Sequence, residues 1–355
     1  MTFNHLRFLA FPLLQTWTVL CLAIGGPMIF AGYQTILVAL LIGDQFLGRY
    51  EFADEEESRL LRSLPAVSLA LHAVVLVQTM HLVGVTDLTN AHGIFLTGYL
   101  ILQLAGMSAH NAVINSHELV HQPTRLDFFL GQLLAAFAFR SSGAIDHVYG
   151  HHRYVGLRED NATARPGESF WRFLPRTVIG IEVFSHGFEK ERLARRGLPA
   201  WHWQNRHLQG FACAAAICVA AFLTGGAQGF AAFLVSAVLA SATMEAGNYI
   251  AHYGLVRAPG TRAAEHHSWN NLNTLSTSLL LNLPRHSDHH SRPDADYWQL
   301  TLPDRVPQHP FGFMNMTLFA FFPPLFFAVT RRTLQHWLRH LATPQERELY
   351  ESYRK

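Results

Sequence analysis

Six long apolar stretches constrain the fold of this 355-residue sequence more than any other feature. Each is long enough, or nearly so, to cross a hydrocarbon core about 30 Å thick as a helix of roughly 20 residues. The predicted spans lie near residues 8–24, 28–47, 66–85, 93–107, 208–223 and 229–244. No internal repeat or low-complexity linker divides the chain. We therefore predict an all-α integral membrane protein with a single domain over residues 1–355.

The basic residues are distributed in a way that predicts the orientation of these spans. The turns at 25–27, 86–92 and 224–228 contain no Lys or Arg, whereas all 27 Lys and Arg residues lie in the segments that alternate with these turns. Six spans then put every cation on one side, which the positive-inside rule makes cytoplasmic. We expect a multi-pass protein of a bacterial-type inner (plasma) membrane, with both termini cytoplasmic.

A later apolar run, residues 311–330, is predicted not to cross the membrane. It contains Pro323 and Pro324, and a seventh span would carry the basic residues of the tail to the opposite side. We interpret it as re-entrant or interfacial. The tail, residues 336–355, is predicted to be an amphipathic helix on the membrane surface.

Nine histidines in four short clusters are the main chemical feature of the sequence. Neutral imidazole is the commonest biological metal ligand, and nine exceed what one zinc ion could hold, so the clusters favour two ions. The set comprises His117, His121, His147, His151, His152, His252, His286, His289 and His290. The predicted topology places all of them in a cytoplasmic region formed by residues 109–207 and 245–310, with the fourth and sixth spans continuing as helix to His117 and His252.

The spacing within the clusters predicts how the ligands are shared. His117 and His121 are four residues apart, which puts both imidazoles on one helix face. His147 and His151 repeat that spacing, and His152 points about 100° away from His151, toward a second ion. The adjacent pair at the end of the last cluster can divide its side chains between two ions in the same way.

The residues leave more than one function open. His117 to His121 match H-E-x-x-H, the zinc protease signature, but a protease needs only one more ligand and leaves most of the clustered histidines unexplained. Histidines that merely line a water-filled vestibule are a second alternative. All-nitrogen ligation suits Fe(II), Zn, Cu or Ni. The carboxylates predicted to assist catalysis by orienting imidazoles are Glu118, Asp146 and Asp288.

The segments NSHELVHQ, HVYGHHR, NYIAHYGL, HHSWN and LPRHSDHH resemble the membrane di-iron alkane 1-monooxygenases and the xylene monooxygenase hydroxylase component. The likeness covers roughly residues 90–305 and extends more distantly to membrane fatty-acid desaturases. The resemblance implies two non-haem irons held by the nine histidines, O2 as co-substrate, and a separate rubredoxin- or ferredoxin-type donor with its reductase. It also implies a hydrophobic small-molecule substrate in the lipid bilayer, and we expect no nucleic-acid partner.

The resemblance allows three types of reaction. Hydroxylation of a terminal methyl or C–H of an alkane, alkyl chain or methyl-arene is the first expectation. Desaturation of a fatty acid or lipid, or decarboxylation of a fatty acid to a terminal alkene, is the alternative. The acid-using reactions need a cation near the reactive end, for which Arg285 and Arg153 are available. Ala251 and Gln122 stand where the family usually has Glu and Lys, and Asp146 where it usually has Glu.

Overall fold

The computed structural model describes residues 3–51, 53 and 58–354, and helices account for most of them. Within this part of the chain there is no β-strand, only two isolated bridges, Arg49 with Asn273 and Asn270 with Gln308. The α-helices are α1 Phe3–Leu6, α2 Ala10–Ile24, α3 Tyr33–Gly43, α4 Arg59–Val85, α5 Ala91–His110, α6 Ser116–His121, α7 Arg125–Ala136, α8 Gly143–Asp146, α9 His152–Tyr154, α10 Phe170–Ala194, α11 Arg206–His252, α12 Thr274–Leu279, α13 His286–Ser291, α14 Phe313–Ala320, α15 Pro323–His340 and α16 Pro344–Arg354. The all-α prediction is confirmed.

Six shorter helical turns connect or extend these helices. Four are 3-10 turns, at Arg7–Leu9, Gly26–Ala31, Glu265–His267 and Tyr297–Gln299. Two are π-helical, at Asn111–Asn115 and His147–His151. Both π-helical turns adjoin predicted metal ligands, where such turns are frequently found in proteins.

Among the residues that the structure describes, five helical segments are long and apolar enough to cross a membrane. They are Arg7–Ile24, Gly26–Gly43, Arg59–Val85, Ala91–His121 and Arg206–His252. The chain is therefore a multi-pass membrane protein, but a count of six spans is not confirmed. The predicted continuation of helix to the first cluster and to His252 is confirmed, because the fourth segment ends at His121 and the fifth at His252.

The fifth segment contains both of the last predicted spans. Gly226 has a φ of 60°, outside the helical region, and divides α11 into two limbs. The chain reverses here, since the ideal Cβ position of Gly229 lies only 3.2 Å from the carbonyl oxygen of Ala221. Only glycine adopts such a φ at little cost.

The chain divides into two compact units, each made of three sequence segments. Unit 1 comprises Met1–Leu40, Glu57–Ala144 and Ser185–Met244, and unit 2 comprises Leu41–Glu56, Ile145–Phe184 and Glu245–Lys355. Unit 1 contains most of the apolar helices. Unit 2 contains seven of the nine clustered histidines.

The helices of unit 1 begin at capping residues and pack through small side chains. The Ser58 hydroxyl accepts from the backbone N–H of Leu61, and the Asn90 side chain accepts from that of Gly93, so both caps satisfy N–H groups that the first turn leaves unpaired. An ideal Cβ on Gly84 would lie 2.7 Å from the Cα of Gly225. Helices α4 and α11 therefore approach so closely here that neither position has room for a side chain.

Two predicted segments differ in detail from the structure. The predicted span 28–47 corresponds to the membrane-length segment Gly26–Gly43, which is a 3-10 turn followed by α3, and the Tyr33 N–H at the start of α3 donates to the Thr18 hydroxyl. The tail is two helices rather than one, because Pro344 has no N–H to continue the ladder from α15 and Thr343 caps α16 instead. The tail side chains Trp337 and Tyr350 are buried.

Candidate metal centre

Unit 1 contributes one pair of clustered histidines. His117 and His121 lie on α6, one turn apart, with ring centroids separated by 4.9 Å. The i, i+4 spacing on a helix therefore puts both imidazoles on one face, as the sequence predicts. The π-helical turn before α6 connects this pair to the end of α5.

In unit 2, a π-helical turn changes the pairing that the sequence predicts for the second cluster. In this turn residues five apart share a face, and the Nε2 atoms of His147 and His152 approach to 3.1 Å. His151 lies instead beside His252 and His290, at ring-centroid distances of 4.7 and 4.9 Å. The expectation that His147 and His151 share one ion, with His152 directed to another, is wrong for this backbone geometry.

Four histidines of unit 2 form a set in which one nitrogen of each lies within 4.8 Å of the others: His151, His252, His286 and His290. The Nε2 atom of His286 is 2.9 Å from that of His252 and 3.2 Å from that of His290. The four residues come from three segments: His286 and His290 lie on α13, His252 ends α11, and His151 ends the π-helical turn.

The protonation of these rings fits metal binding. The Nδ1 atom of His252 lies 3.0 Å from the carbonyl oxygen of His267, which can only accept, so Nδ1 carries the proton and Nε2 keeps its lone pair. The pKa of His290 lies well below its usual range, mainly because the ring is buried and also because the neighbouring imidazoles disfavour a positive charge. Neutral imidazoles with converging lone pairs are the donors that a transition metal requires.

Asp160 is a carboxylate of this site that the sequence analysis missed. Its Oδ2 atom is 2.9 Å from Nδ1 of His151, and both side chains are buried. Burial alone would lower the pKa of His151 and raise that of Asp160, but their attraction reverses both shifts. Asp160 lies in a loop with no ligand-like spacing, so the only sequence signal was an acidic residue nine positions after His151.

A second group in unit 2 contains His147, His152 and His289. The Nε2 atom of His152 is 3.1 Å from that of His147 and 3.0 Å from that of His289. The adjacent residues His289 and His290 thus direct their rings to different partners, the division that their adjacency predicts.

The three carboxylates predicted from the sequence have partners outside the histidine clusters. Glu118 accepts from the Gln122 amide at 3.0 Å, and Asp146 accepts from Asn161 at 3.0 Å. Burial and the charge of Asp160 raise the pKa of Asp146 to about 7.

The third carboxylate, Asp288, is bound by Arg292 and by the backbone N–H of Thr301 at 2.7 Å. Burial would raise the pKa of Asp288, but these donors hold it below its usual range. The catalytic roles of Glu118, Asp146 and Asp288 stay predictions.

Arg285, next to the last histidine cluster, binds backbone carbonyl groups. Arg285 is fully buried and donates to the carbonyl oxygens of Leu300 and Tyr50. Its guanidinium therefore holds the segment that leads into α13. The Arg153 guanidinium lies 5.2 Å from the ring centroid of Tyr154.

A third group capable of holding a metal lies outside the nine histidines and consists of His266, His267 and Glu346. Glu346 lies 2.8 Å from the Nε2 atom of His267 and 3.1 Å from that of His266. Burial would raise the pKa of Glu346, but its hydrogen bonds to these imidazoles hold that pKa well below its usual range. This group could not be predicted from the sequence, because Glu346 is about 80 residues from its partners.

Membrane-length helices and a compact set of four histidines, three of them buried, define an integral membrane protein with a histidine-rich site for metal ions. The family model for fatty acid desaturases matches residues 92–303, a range that includes all nine clustered histidines. The chain belongs to this family.

The chain is also similar to individual proteins with assigned names. The chain is 36% identical over 234 residues to alkane 1-monooxygenase 2 of Pseudomonas aeruginosa, covering 64% of this chain and 62% of the relative. It is 30% identical to alkane 1-monooxygenase 1 of Alcanivorax borkumensis, over 83% of this chain and 74% of the relative. It is 32% identical to the xylene/toluene monooxygenase hydroxylase component of Pseudomonas putida, over 70% and 68%. The match thus spans less than two thirds of the Pseudomonas aeruginosa relative.

Proposed function

We propose that this chain is an O2-dependent membrane monooxygenase that hydroxylates the terminal methyl or C–H of a hydrophobic substrate, such as an alkane, an alkyl chain or a methyl-arene. The observation that supports it best is the set of four closely spaced imidazoles, three of them from buried residues, in a chain similar to named alkane and xylene/toluene monooxygenases. Redox-inactive zinc cannot supply oxidation chemistry, whereas iron can.

In this proposal two iron ions are held by the nine histidines, His117 and His121 included. When bound, the irons supply O2 activation and the oxidising equivalents. The chain supplies neutral imidazole donors and hydrogen bonds from the other ring nitrogen, such as those of His151 and His252, that fix the orientation of each ring. Glu118, Asp146 and Asp288 are the carboxylates that we propose to assist.

The electrons come from a separate rubredoxin- or ferredoxin-type donor with its reductase. The chain contains three cysteines and no C-x-x-C pair, so these residues lack the set of four cysteines that an iron–sulfur or rubredoxin-type centre uses. We place the active site and both termini on the cytoplasmic side of a bacterial-type inner membrane, since the turns without Lys or Arg alternate with the segments that contain these residues. We further propose that residues 1–355 act as one functional domain.

Desaturation or decarboxylation of a fatty acid is the second candidate, favoured by the description of the matching family model. Both use a carboxylate-bearing chain. Arg285 is a poor partner for such a carboxylate, because its guanidinium already donates to two backbone carbonyls.

Product analysis distinguishes these functions. The purified protein, supplied with O2 and a reductase system, is offered octane, a methyl-arene and dodecanoic acid, and the products are identified by mass spectrometry. Alcohols from the first two substrates are the expected result. Exclusive formation of an unsaturated acid or of an alkene one carbon shorter would overturn the proposal. Metal analysis after anaerobic purification gives a second test, since zinc without iron would favour the protease signature at His117–His121.

A further inference from the structure

The last helix of the chain begins with a capping box whose carboxylate reaches beyond the helix. In α16, Thr343 is the N-cap and Glu346 is the third residue of the helix. The Thr343 hydroxyl accepts from the Glu346 N–H at 3.3 Å, and the Oε2 atom of Glu346 accepts from the Thr343 N–H at 2.8 Å. A capping box needs only one carboxylate oxygen, so Oε1 of Glu346 is available for another donor.

That donor is the imidazole of His267. The Ala264 N–H donates to Nδ1 of His267 at 2.9 Å, so the neutral ring carries its proton on Nε2. Nε2 then donates to Oε1 of Glu346 at 2.8 Å. Both side chains are buried, and the Trp337 indole N–H donates to the carbonyl oxygen of His266 at 2.7 Å. The two C-terminal helices therefore hold the segment 264–267 from two sides.

The same segment presents a backbone carbonyl to a clustered histidine. The carbonyl oxygen of His267 accepts from Nδ1 of His252 at 3.0 Å, which fixes both the proton and the orientation of that ring. A continuous chain of hydrogen bonds thus runs from the cap of α16 through His267 to His252. Any shift of His267 displaces the group that orients His252.

We propose that Glu346 is a positioning residue for the metal centre: by holding His267 it fixes the carbonyl that orients His252. This inference rests on the proposed role of His252 as a metal ligand. Its consequence is that α16, through a residue 80 positions after His266, controls metal retention.

The same three side chains invite a different assignment, as a third metal site. Two histidines and one carboxylate can form a facial triad for Fe(II). The hydrogen bonds oppose this assignment, because a metal on Nε2 of His267 would require Nδ1 to be the protonated nitrogen, whereas the Ala264 N–H donates to Nδ1. We therefore assign the group to hydrogen bonding and leave a third ion as an outcome of the test.

The test uses the full chain, purified in detergent and loaded with iron, and compares Glu346→Gln with Thr343→Ala. In Glu346→Gln an NH2 donor replaces one of the two carboxylate oxygens that accept from His267 and Thr343, so one of these hydrogen bonds is lost. Thr343→Ala removes part of the helix cap and keeps the Glu346 carboxylate. The readouts are the rate of iron loss to a chelator, the absorption spectrum of the cobalt-substituted protein, and the melting temperature of the metal-free protein.

We expect Glu346→Gln to lose iron about tenfold faster than wild type, at the lower end of the effect of groups that orient metal ligands, and to alter the cobalt spectrum. Thr343→Ala should lose iron at nearly the wild-type rate, even if it melts at a temperature similar to that of Glu346→Gln. Equal iron loss from the two variants, or three metal ions per wild-type chain with one lost in Glu346→Gln, would overturn the inference. A wild-type protein that binds no metal would instead refute the proposed function.

A second pair of variants applies if Glu346→Gln does not fold. Gln at position 267 can place an N–H donor near the position of Nε2, whereas Leu cannot donate. We expect His267→Gln to retain iron better than His267→Leu. Equal retention by these two variants would count against the hydrogen bond as the cause.

Discussion

The Nδ1 atom of His151 lies 2.9 Å from a carboxylate oxygen of Asp160, in a contact that is closed to solvent on both sides. A carboxylate in this position holds the ring in the tautomer that leaves Nε2 free to bind a metal, and it raises the basicity of the ligand. Asp160 is itself held by the Ala162 N–H at 3.0 Å and by the Thr163 hydroxyl. The loop after the second histidine cluster therefore orients one of the clustered imidazoles.

Asp160→Asn removes the charge at nearly constant size, and we expect it to weaken iron binding about 10- to 100-fold. The loss follows from a weaker hydrogen bond to His151 and a less basic imidazole. Chelator competition on the purified protein measures the change. Asp304→Asn is the matched control, because Asp304 is exposed. Iron binding that is equally strong in both variants would show that Asp160 has no part in the site.

The four-histidine set makes a prediction for single ligand variants. His290→Ala removes a donor nitrogen of this set, so we expect the iron content per chain to fall. His336→Ala should keep the iron, because His336 is exposed on α15. Iron and protein are quantified in the same anaerobically purified samples. Full iron occupancy in His290→Ala would contradict the ligand assignment, and loss of iron in His336→Ala would indicate nonspecific damage.

Apolar length and the positions of the histidines predict much of this molecule from sequence. Both are properties of contiguous segments, and the structure confirms membrane-length helices that continue to His121 and His252. The pairing of His147 with His152 could not be predicted, because a π-helical turn depends on packing around the backbone rather than on residue type. Asp160 and Glu346 were missed because their contacts with histidines are set by loop and helix placement.

The glycines of the apolar helices differ in how closely other residues pack against them. An ideal Cβ on Gly106 would lie 2.9 Å from the Tyr33 ring, and one on Gly225 would lie 2.3 Å from the Met80 carbonyl oxygen. Gly98 has no atom within 4 Å of its ideal Cβ position. Gly106 and Gly225 therefore serve close contact between packed segments, whereas Gly98 does not.

Gly225→Ala should therefore destabilise the protein by about 1–3 kcal/mol, the usual cost of overpacking, because its neighbour is rigid backbone. Gly98→Ala should be neutral or stabilising by up to about 1 kcal/mol, the helix-propensity difference between the two residues. Thermal unfolding of the purified variants in one detergent compares them. A lower melting temperature for Gly98→Ala than for Gly225→Ala would contradict the packing described for α4 and α11.

Glu189 provides a prediction about pH in unit 1. Its carboxylate is fully buried and is bound by Arg192 at 2.7 Å and by Arg206 at 2.6 Å. Burial would raise the pKa of Glu189, but the hydrogen bonds and charge of these arginines lower it below the ordinary value of 4.5. A carboxyl whose pKa is lower in the folded state stabilises the fold above its unfolded pKa, and that contribution is lost as the pH falls through the folded pKa.

Glu189→Gln should lower stability at neutral pH by about 1.5–3 kcal/mol, the range for hydrogen bonds to charged groups, since the amide cannot replace both arginine contacts. Wild type should then approach the variant as the pH is lowered from neutral to below the ordinary Glu pKa of about 4.5, because the Glu189 contribution is lost as the pH falls through its lower folded pKa. Melting temperatures across this range test it. Glu191→Gln is the control, since Glu191 and its partner Arg195 are 72% and 80% exposed and such pairs contribute little. A constant difference between wild type and Glu189→Gln at every pH would show that the carboxylate does not titrate with folding.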